Sequence, residues 1–230
     1  MFRMLRKEAK ISYSQCGEDL IVAFLFQTMG IDKPTYIDIG ANHPFALNNS
    51  ALFYQNGSRG INIEPDPELF KLLQKHRSDD INLNIGIAHE KGVKDFYVMS
   101  SPTMSTFSME ESEMLKKETS ISVSRVIRIK TDTLPNVLND YADGIFPDFL
   151  SLDVEGFEEL IVESIDFKYN FPKVICIETL TYTENNTEKK EQHMINMILD
   201  KGYMMFADTY INSIFVRTDL WKHRNRSNTV

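Results

Sequence analysis

The chain has 230 residues, 42% hydrophobic, 11% aromatic and 25% charged, which suits one large α/β domain and excludes disorder along the whole length. Asp and Glu number 33 against 25 Lys and Arg, a net charge of −8, and so acidic a balance argues against a dedicated nucleic-acid binder, whose phosphate contacts need clustered cations. Basic side chains gather at both ends, Arg3, Arg6, Lys7 and Lys10 at the start and Arg217, Lys222, Arg224 and Arg226 at the finish; they read as solvated termini. The early apolar run 21–26 is too short for a signal-peptide core or a membrane span, so the expected location is cytoplasmic. Cys16 and Cys176 have no Cys/His company, so neither a disulfide framework nor a thiolate zinc site is expected.

Strand-length apolar runs alternate with helical periodicity. Residues 36–39 read as a strand ended by Gly40, 47–55 as a helix, 60–64 as a second strand, and Pro67 opens a helix to about 76. Residues 81–88 read as a third strand, and 93–99 and 126–129 as extended segments. They flank a stretch, 100–124, rich in Ser, Thr, Met and Glu, which suits either a lid over a substrate or a short surface helix. A helix at 134–141, a buried strand at 148–153, a helix at 155–165, a strand at 174–178 and a polar helix at 187–201 follow. Two final strands, 203–207 and 213–216, are too close for a crossover helix and must be antiparallel. Strand–helix alternation predicts a mostly parallel sheet covered by helices on both faces.

In such sheets ligands bind beyond the carboxyl ends of the strands. Asp38 lies two residues before Gly40, Glu64 ends the second strand, Asp153 the strand at 148–153, and Glu178 the next. Carboxylates are costly to bury unless paired or ligated, so their recurrence at equivalent strand ends marks a site. Gly40 permits a tight turn, and Glu64 is placed to accept hydrogen bonds from both ribose hydroxyls. The turn lacks the further glycines that cradle a pyrophosphate, which disfavours a dinucleotide. S-adenosylmethionine, with adenosine and no phosphates, fits better, and Asp38 is expected to face its cationic amino-acid end.

Five runs carry a resemblance. Tyr13-Ser14-Gln15-Cys16-Gly17-Glu18-Asp19-Leu20, Ile37-Asp38-Ile39-Gly40-Ala41-Asn42-His43-Pro44, Arg59-Gly60-Ile61-Asn62-Ile63-Glu64-Pro65, Met104-Ser105-Thr106-Phe107-Ser108 and the stretch from Phe149 through Asp153-Val154-Glu155-Gly156 to Glu158 together resemble the FkbM family of S-adenosylmethionine-dependent methyltransferases. The likeness spans about 13–216. It implies the α/β class I methyltransferase fold, a Rossmann-like, seven-stranded, mostly parallel sheet with an antiparallel last strand. It also implies methylation of hydroxyls on sugars or natural products, as in polysaccharide biosynthesis. By the same likeness Asp38, Gly40, Asn42 and Glu64 are cofactor residues, and Gln15, Glu18 and Asp19 belong to an N-terminal segment folding over the cofactor. The expected layout is a helical lead-in over 1–33, a methyltransferase domain over 34–217 with the candidate lid 100–124, and a basic tail over 218–230.

The expected reaction is methyl transfer to a sugar hydroxyl, on a nucleotide-linked sugar or a polysaccharide precursor, by an enzyme without a membrane span that could self-associate. A hydroxyl is a poor nucleophile at neutral pH, so the site needs a general base or a divalent cation. His43, just after the cofactor turn, is a candidate base; Asp153, with Glu155 two residues on, is the candidate on the acceptor side. Asp153 and Glu178 at neighbouring strand ends are hard oxygen ligands suited to Mg²⁺ or Mn²⁺. The competing functions are a nucleotide-sugar oxidoreductase, which the missing phosphate turn disfavours, and a non-catalytic binding module on the same scaffold, which would not need Asp38, Gly40 and Glu64.

Overall fold

The computed structural model describes residues 10–154, 156–180 and 188–224. Strand β1 (Tyr36–Ile39) is buried at all four positions, as a strand covered on both faces must be. It pairs in parallel with β2 (Gly60–Ile63) on one side and β7 (Phe149–Leu152) on the other. β3 (Ile81–Leu83) continues the sheet beyond β2, and β8 (Val174–Glu178), β10 (Asn212–Arg217) and β9 (Tyr203–Asp208) continue it beyond β7. The order is β3-β2-β1-β7-β8-β10-β9, with β10 antiparallel to both its neighbours. This is the seven-stranded α/β sheet with a reversed last strand that the sequence predicts.

Alternation along the strands sorts two cores. Ile37, Ile39, Leu150, Leu152, Ile175 and Ile177 meet α5 (Leu134–Tyr141), α6 (Glu158–Glu163) and α7 (Gln192–Asp200) on one face. Tyr36, Phe149, Val174 and Cys176 meet α1 (Glu18–Thr28) and α2 (Ala51–Gln55) on the other. Each of these side chains, fully buried, stabilises the fold by roughly 1.5–3 kcal/mol in transfer free energy. α3 (Pro67–His76) begins where the sequence places it, because Pro67 fits the first turn and the Asp66 side chain accepts from the Glu68 N–H at 2.8 Å.

Three elements depart from the sequence reading. The helix expected at 47–55 is only α2, because Leu47 has φ +55° and the Asn48 and Ser50 side chains donate back to the Ala41 carbonyl and to Asp38 of β1. The strand expected at 81–88 divides at Asn84, whose side-chain amide donates to the carbonyls of Glu64 and Pro65, both at 2.8 Å. Beyond that point β4 (Gly86–Ile87) joins a second sheet, β4-β6-β5, with β5 (Gly92–Met99) and β6 (Val123–Asp132). The stretch 100–124 is ordered into a 3₁₀ turn (Pro102–Met104), a bridge between Thr106 and Tyr97, and α4 (Met109–Glu118). Leu115 packs it onto Met99 and Met104, so the helix alternative holds for its second half. Arg125 on β6 pairs with Asp66 at 3.2 Å, tying the second sheet to the start of α3. The chain closes with α8 (Thr218–Lys222). Cys16 and Cys176 are both free, and among the described residues no helix is long and apolar enough to cross a membrane.

Candidate active site

β1 runs into Gly40, whose φ is +82° and where a Cβ would lie 1.8 Å from the Asp153 carbonyl oxygen. Only glycine lets the ends of β1 and β7 meet this closely. The Gly40 and Ala41 N–H groups both donate to the Ile63 carbonyl, and the Asp153 N–H to that of Ile39, which locks three strand ends together. Asn42, at φ +51°, then donates its N–H to Glu64 Oε2 at 2.7 Å, while the Asp66 N–H donates to Oε1 at 2.7 Å.

Glu64 is only 4% exposed. Burial pushes its carboxyl up to about 8, against the lowering influence of the two N–H donors, with Asp66 and Asp38 adding repulsion. It stands on the wall of a cleft of about 580 Å³ shared with Gly40, Asn42 and Asp153. Phe96, Phe107 and Phe157 also line it; the Phe96 and Phe107 ring centres are 4.7 Å apart, and those of Phe107 and Phe157 6.2 Å. Vicinal hydroxyls such as those of a ribose would give the buried carboxylate the additional donors that its ionised form calls for.

A second cleft, of about 870 Å³, opens beside the first along the 153–158 stretch. Glu111, Glu158, Glu159, Glu178, Glu191 and His193 line it. Glu158 caps its own loop, accepting from the N–H groups of Val154 and Gly156 at 3.0 Å each, and His193 lies 3.1 Å from Glu159. Asp153 faces the open space of the first cleft from a position ringed by protein, which pushes its carboxyl up to about 6; Glu158 and Asp38 add repulsion, and a hydrogen bond with Glu178 opposes them. A hydrogen bond between two carboxyl groups requires one shared proton.

The structure therefore brings Gly40, Asn42, Glu64 and Asp153 into one cleft and sets Glu178 beside Asp153. Other candidates lie elsewhere. Asp38 does not face the cleft: it points to the α1 and α2 side of the sheet, where it accepts from Ser50, Asn48 and Ser151 and lies near Arg77. Burial raises its pKa. Glu18 accepts from Thr209, Asn212 and the Cys16 N–H, which anchors α1 to the β9–β10 turn. Asp19 accepts from Ser12, Ser14 and the Tyr13 N–H. Both carboxylates are thereby satisfied within the fold, and Gln15 is exposed and absent from the cleft wall. His43 Nδ1 accepts from the N–H groups of Phe45 and Ala46 at 3.2 and 3.0 Å, so that lone pair holds a loop rather than a substrate proton. Glu155 lies outside the described residues. Asp153 and Glu178 are the expected metal pair, but among the described residues no group of three or more metal-ligating side chains comes together.

Sequence reasoning missed the aromatic wall, although Phe107 and Phe157 stand inside two of the runs that carry the family resemblance. Phe96 lies on β5 of the second sheet and packs with Phe107, and both line the same cleft as Glu64.

Among solved structures, the chain is similar to the methyltransferase FkbM of Methylobacillus flagellatus KT, at 15% identity and a TM-score of 0.40 over 80% of this chain and 44% of that one. It therefore spans less than half of that relative's length. It is also similar to a precorrin-6y C5,15-methyltransferase of Geobacter metallireducens GS-15 (13% identity, TM-score 0.42, 90% and 91% covered). A third is a TehB-like SAM-dependent methyltransferase of Corynebacterium glutamicum ATCC 13032 Kitasato (10%, 0.41, 94% of each). No curated protein matches. The model of the methyltransferase FkbM domain matches residues 38–205, well over half of the chain and the whole stretch from β1 into β9. The chain belongs to the FkbM family of methyltransferases, which are S-adenosylmethionine-dependent.

Proposed function

We propose that the protein is an O-methyltransferase that binds S-adenosylmethionine in the Glu64 cleft and methylates a sugar hydroxyl held in the acidic cleft, with Asp153 as general base. The observation behind this reading is the Asp153–Glu178 hydrogen bond at the seam between the two clefts. When bound, the donor would supply an electrophilic sulfonium methyl, whose bond to sulfur breaks in the transfer to leave S-adenosylhomocysteine. Glu64, with Asn42 and Asp66 fixing its two oxygens, holds the ribose. Asp153 accepts the proton that the hydroxyl loses as its oxygen forms the new bond to carbon, and Glu178, sharing a proton with Asp153, keeps that carboxylate oriented. A carboxyl raised to about 6 is matched to proton abstraction near neutral pH.

The acidic cleft supports a sugar, because carboxylates accept from vicinal hydroxyls. It favours a neutral sugar end over a nucleoside diphosphate, whose charge would face Glu111, Glu159 and Glu191. A Mg²⁺ or Mn²⁺ ion between Asp153 and Glu178 is the other reading of the same pair; the lack of a third ligating side chain among the described residues favours the proton. The test is methyl transfer from labelled S-adenosylmethionine to a panel of neutral glycans and nucleotide sugars. The expected result is turnover on a neutral glycan that survives EDTA. Turnover restored only by Mg²⁺ or Mn²⁺ overturns the base assignment, and methylation of nitrogen or carbon alone overturns the hydroxyl.

A further inference from the structure

Arg77 is fully buried at the end of α3, outside both clefts. Its Nε donates to Asp80 Oδ2 at 2.9 Å, and Asp80 also accepts from Tyr36 Oη, the Gly60 N–H and Asn62. That half of the guanidinium is an internal ion pair, and such pairs generally add little stability over apolar packing. The other half turns toward the cofactor turn. Nη1 donates to Asn48 Oδ1 at 3.1 Å and to Ser50 Oγ at 3.0 Å.

With its oxygen held by Arg77 and by the Ser50 N–H and hydroxyl, both at 3.0 Å, the Asn48 amide is fixed in orientation, and its Nδ2 donates to the Ala41 carbonyl at 2.9 Å and to Asp38 Oδ2 at 3.2 Å. Ala41 precedes Asn42, the left-handed residue whose N–H reaches Glu64. A continuous chain of contacts thus runs from Arg77 through Asn48 and Ala41 to Asn42 and Glu64. Left-handed backbone at a non-glycine residue persists only where its surroundings hold it. The Asn48 backbone adds a second tie, donating to the Tyr13 carbonyl at 3.0 Å.

We propose that Arg77 is the positioning residue of the cofactor turn, acting through the Asn48 amide to set the Asn42 N–H on Glu64. This rests on the reading that the Glu64 cleft holds the methyl donor.

The test is titration calorimetry with S-adenosylhomocysteine on the wild type, Arg77→Met, Arg77→Lys, Asn48→Ala and the double variant, below every melting temperature. Leu73→Ala, which truncates a fully buried side chain one turn before Arg77 that makes none of these hydrogen bonds and keeps the backbone carbonyl that accepts the Arg77 N–H, is the control for general destabilisation. Arg77→Met and Asn48→Ala are each expected to weaken binding about tenfold or more, and the double variant no further than the worse single one, since both break the same path. Arg77→Lys retains the charge without the fork and is expected to stay weak. Leu73→Ala is expected to melt earlier with affinity within about twofold of wild type, because its loss is one of packing. Wild-type affinity in Arg77→Met, additive losses in the double variant, or an equal loss in Leu73→Ala overturns the proposal. If Arg77→Met does not fold, Arg77→Lys with Asn48→Ala gives the same cycle. A wild type that binds no S-adenosylhomocysteine overturns the reading of the cleft itself.

Discussion

Asp153 at the end of β7 and Glu178 at the end of β8 are hydrogen-bonded across the seam between the two clefts. Neither carboxyl group can donate unless one of them carries a proton, so the pair responds to pH as a unit. Asp153→Asn is expected to lower turnover at least about 100-fold, the usual contribution of a general base. Its affinity for S-adenosylhomocysteine should stay within a few-fold of wild type. In the wild type, kcat/KM should rise with pH on a limb near 6, where Asp153 loses its proton, and Glu178→Gln should move that limb. A pH-rate profile of the three proteins checks this; full activity of Asp153→Asn removes Asp153 from the chemistry.

Glu64 links cofactor binding to protons. Its folded pKa is raised, so between about 4.5 and about 8 the ligand-free folded state holds a proton that the unfolded state releases. Stability contributed by that proton is present at low pH and declines as pH rises through this window; Asp153 acts in the same sense up to about 6. Thermal melts of the ligand-free protein should therefore fall from pH 5 to pH 8, and less steeply in Glu64→Ala. Ribose hydroxyls favour the ionised carboxylate, so binding at pH 7 should release roughly one proton, read by calorimetry in buffers of different ionisation enthalpy. Glu64→Ala should weaken S-adenosylhomocysteine by about 1.5–3 kcal/mol, the worth of hydrogen bonds to a charged acceptor.

Gly40→Ala should destabilise the protein by about 2–4 kcal/mol, from a left-handed φ combined with a Cβ driven into the Asp153 carbonyl. Chemical denaturation measures this. A loss below about 1 kcal/mol would mean that the β1 and β7 ends can separate without cost.

Arg125→Ala should change global stability by less than about 1 kcal/mol, because the Arg125 side chain is half exposed and the buried Asp66 keeps the Glu68 N–H as a partner. Its effect should be local: faster proteolysis within 100–124, slowed again by S-adenosylhomocysteine with acceptor. Identical cleavage with and without ligands would show that this stretch does not close over the site.

Much of this was legible because it is locally encoded. Pro67 announces α3, and the short strand β1, apolar but for Asp38 and ended by Gly40, needs no distant partner to be recognised. The second sheet was not legible: β4 has two residues, and Gly86 pairs with Thr131, far along the chain. Residue types at strand ends singled out Gly40, Glu64 and Asp153, and the family resemblance singled out Asn42, all of which line one cleft, but neither showed where side chains turn. Asp38 shares strand parity with Tyr36, so its carboxylate goes to the face of α1 and α2 and becomes part of the turn's support. Glu18 and Asp19 carry the same charge as the site carboxylates, and what separates them is only their partners, Thr209, Asn212 and Ser12, remote or local residues that no composition reveals.

The pairing of Tyr36 with Phe149 and of Ile39 with Leu152 joins segments more than a hundred positions apart, whereas β5 and β6 form one antiparallel pair. Closing the longer loop carries the larger entropic cost, so during folding the β5–β6 unit can assemble first and the central junction last. Asp153 waits for that junction, whereas Glu64 meets the Asn42 N–H across the β1–β2 pair, whose segments lie close in sequence. On the proposed function the newly made chain would set its ribose-binding carboxylate before its base, so that the means to hold the donor would precede the means to use it.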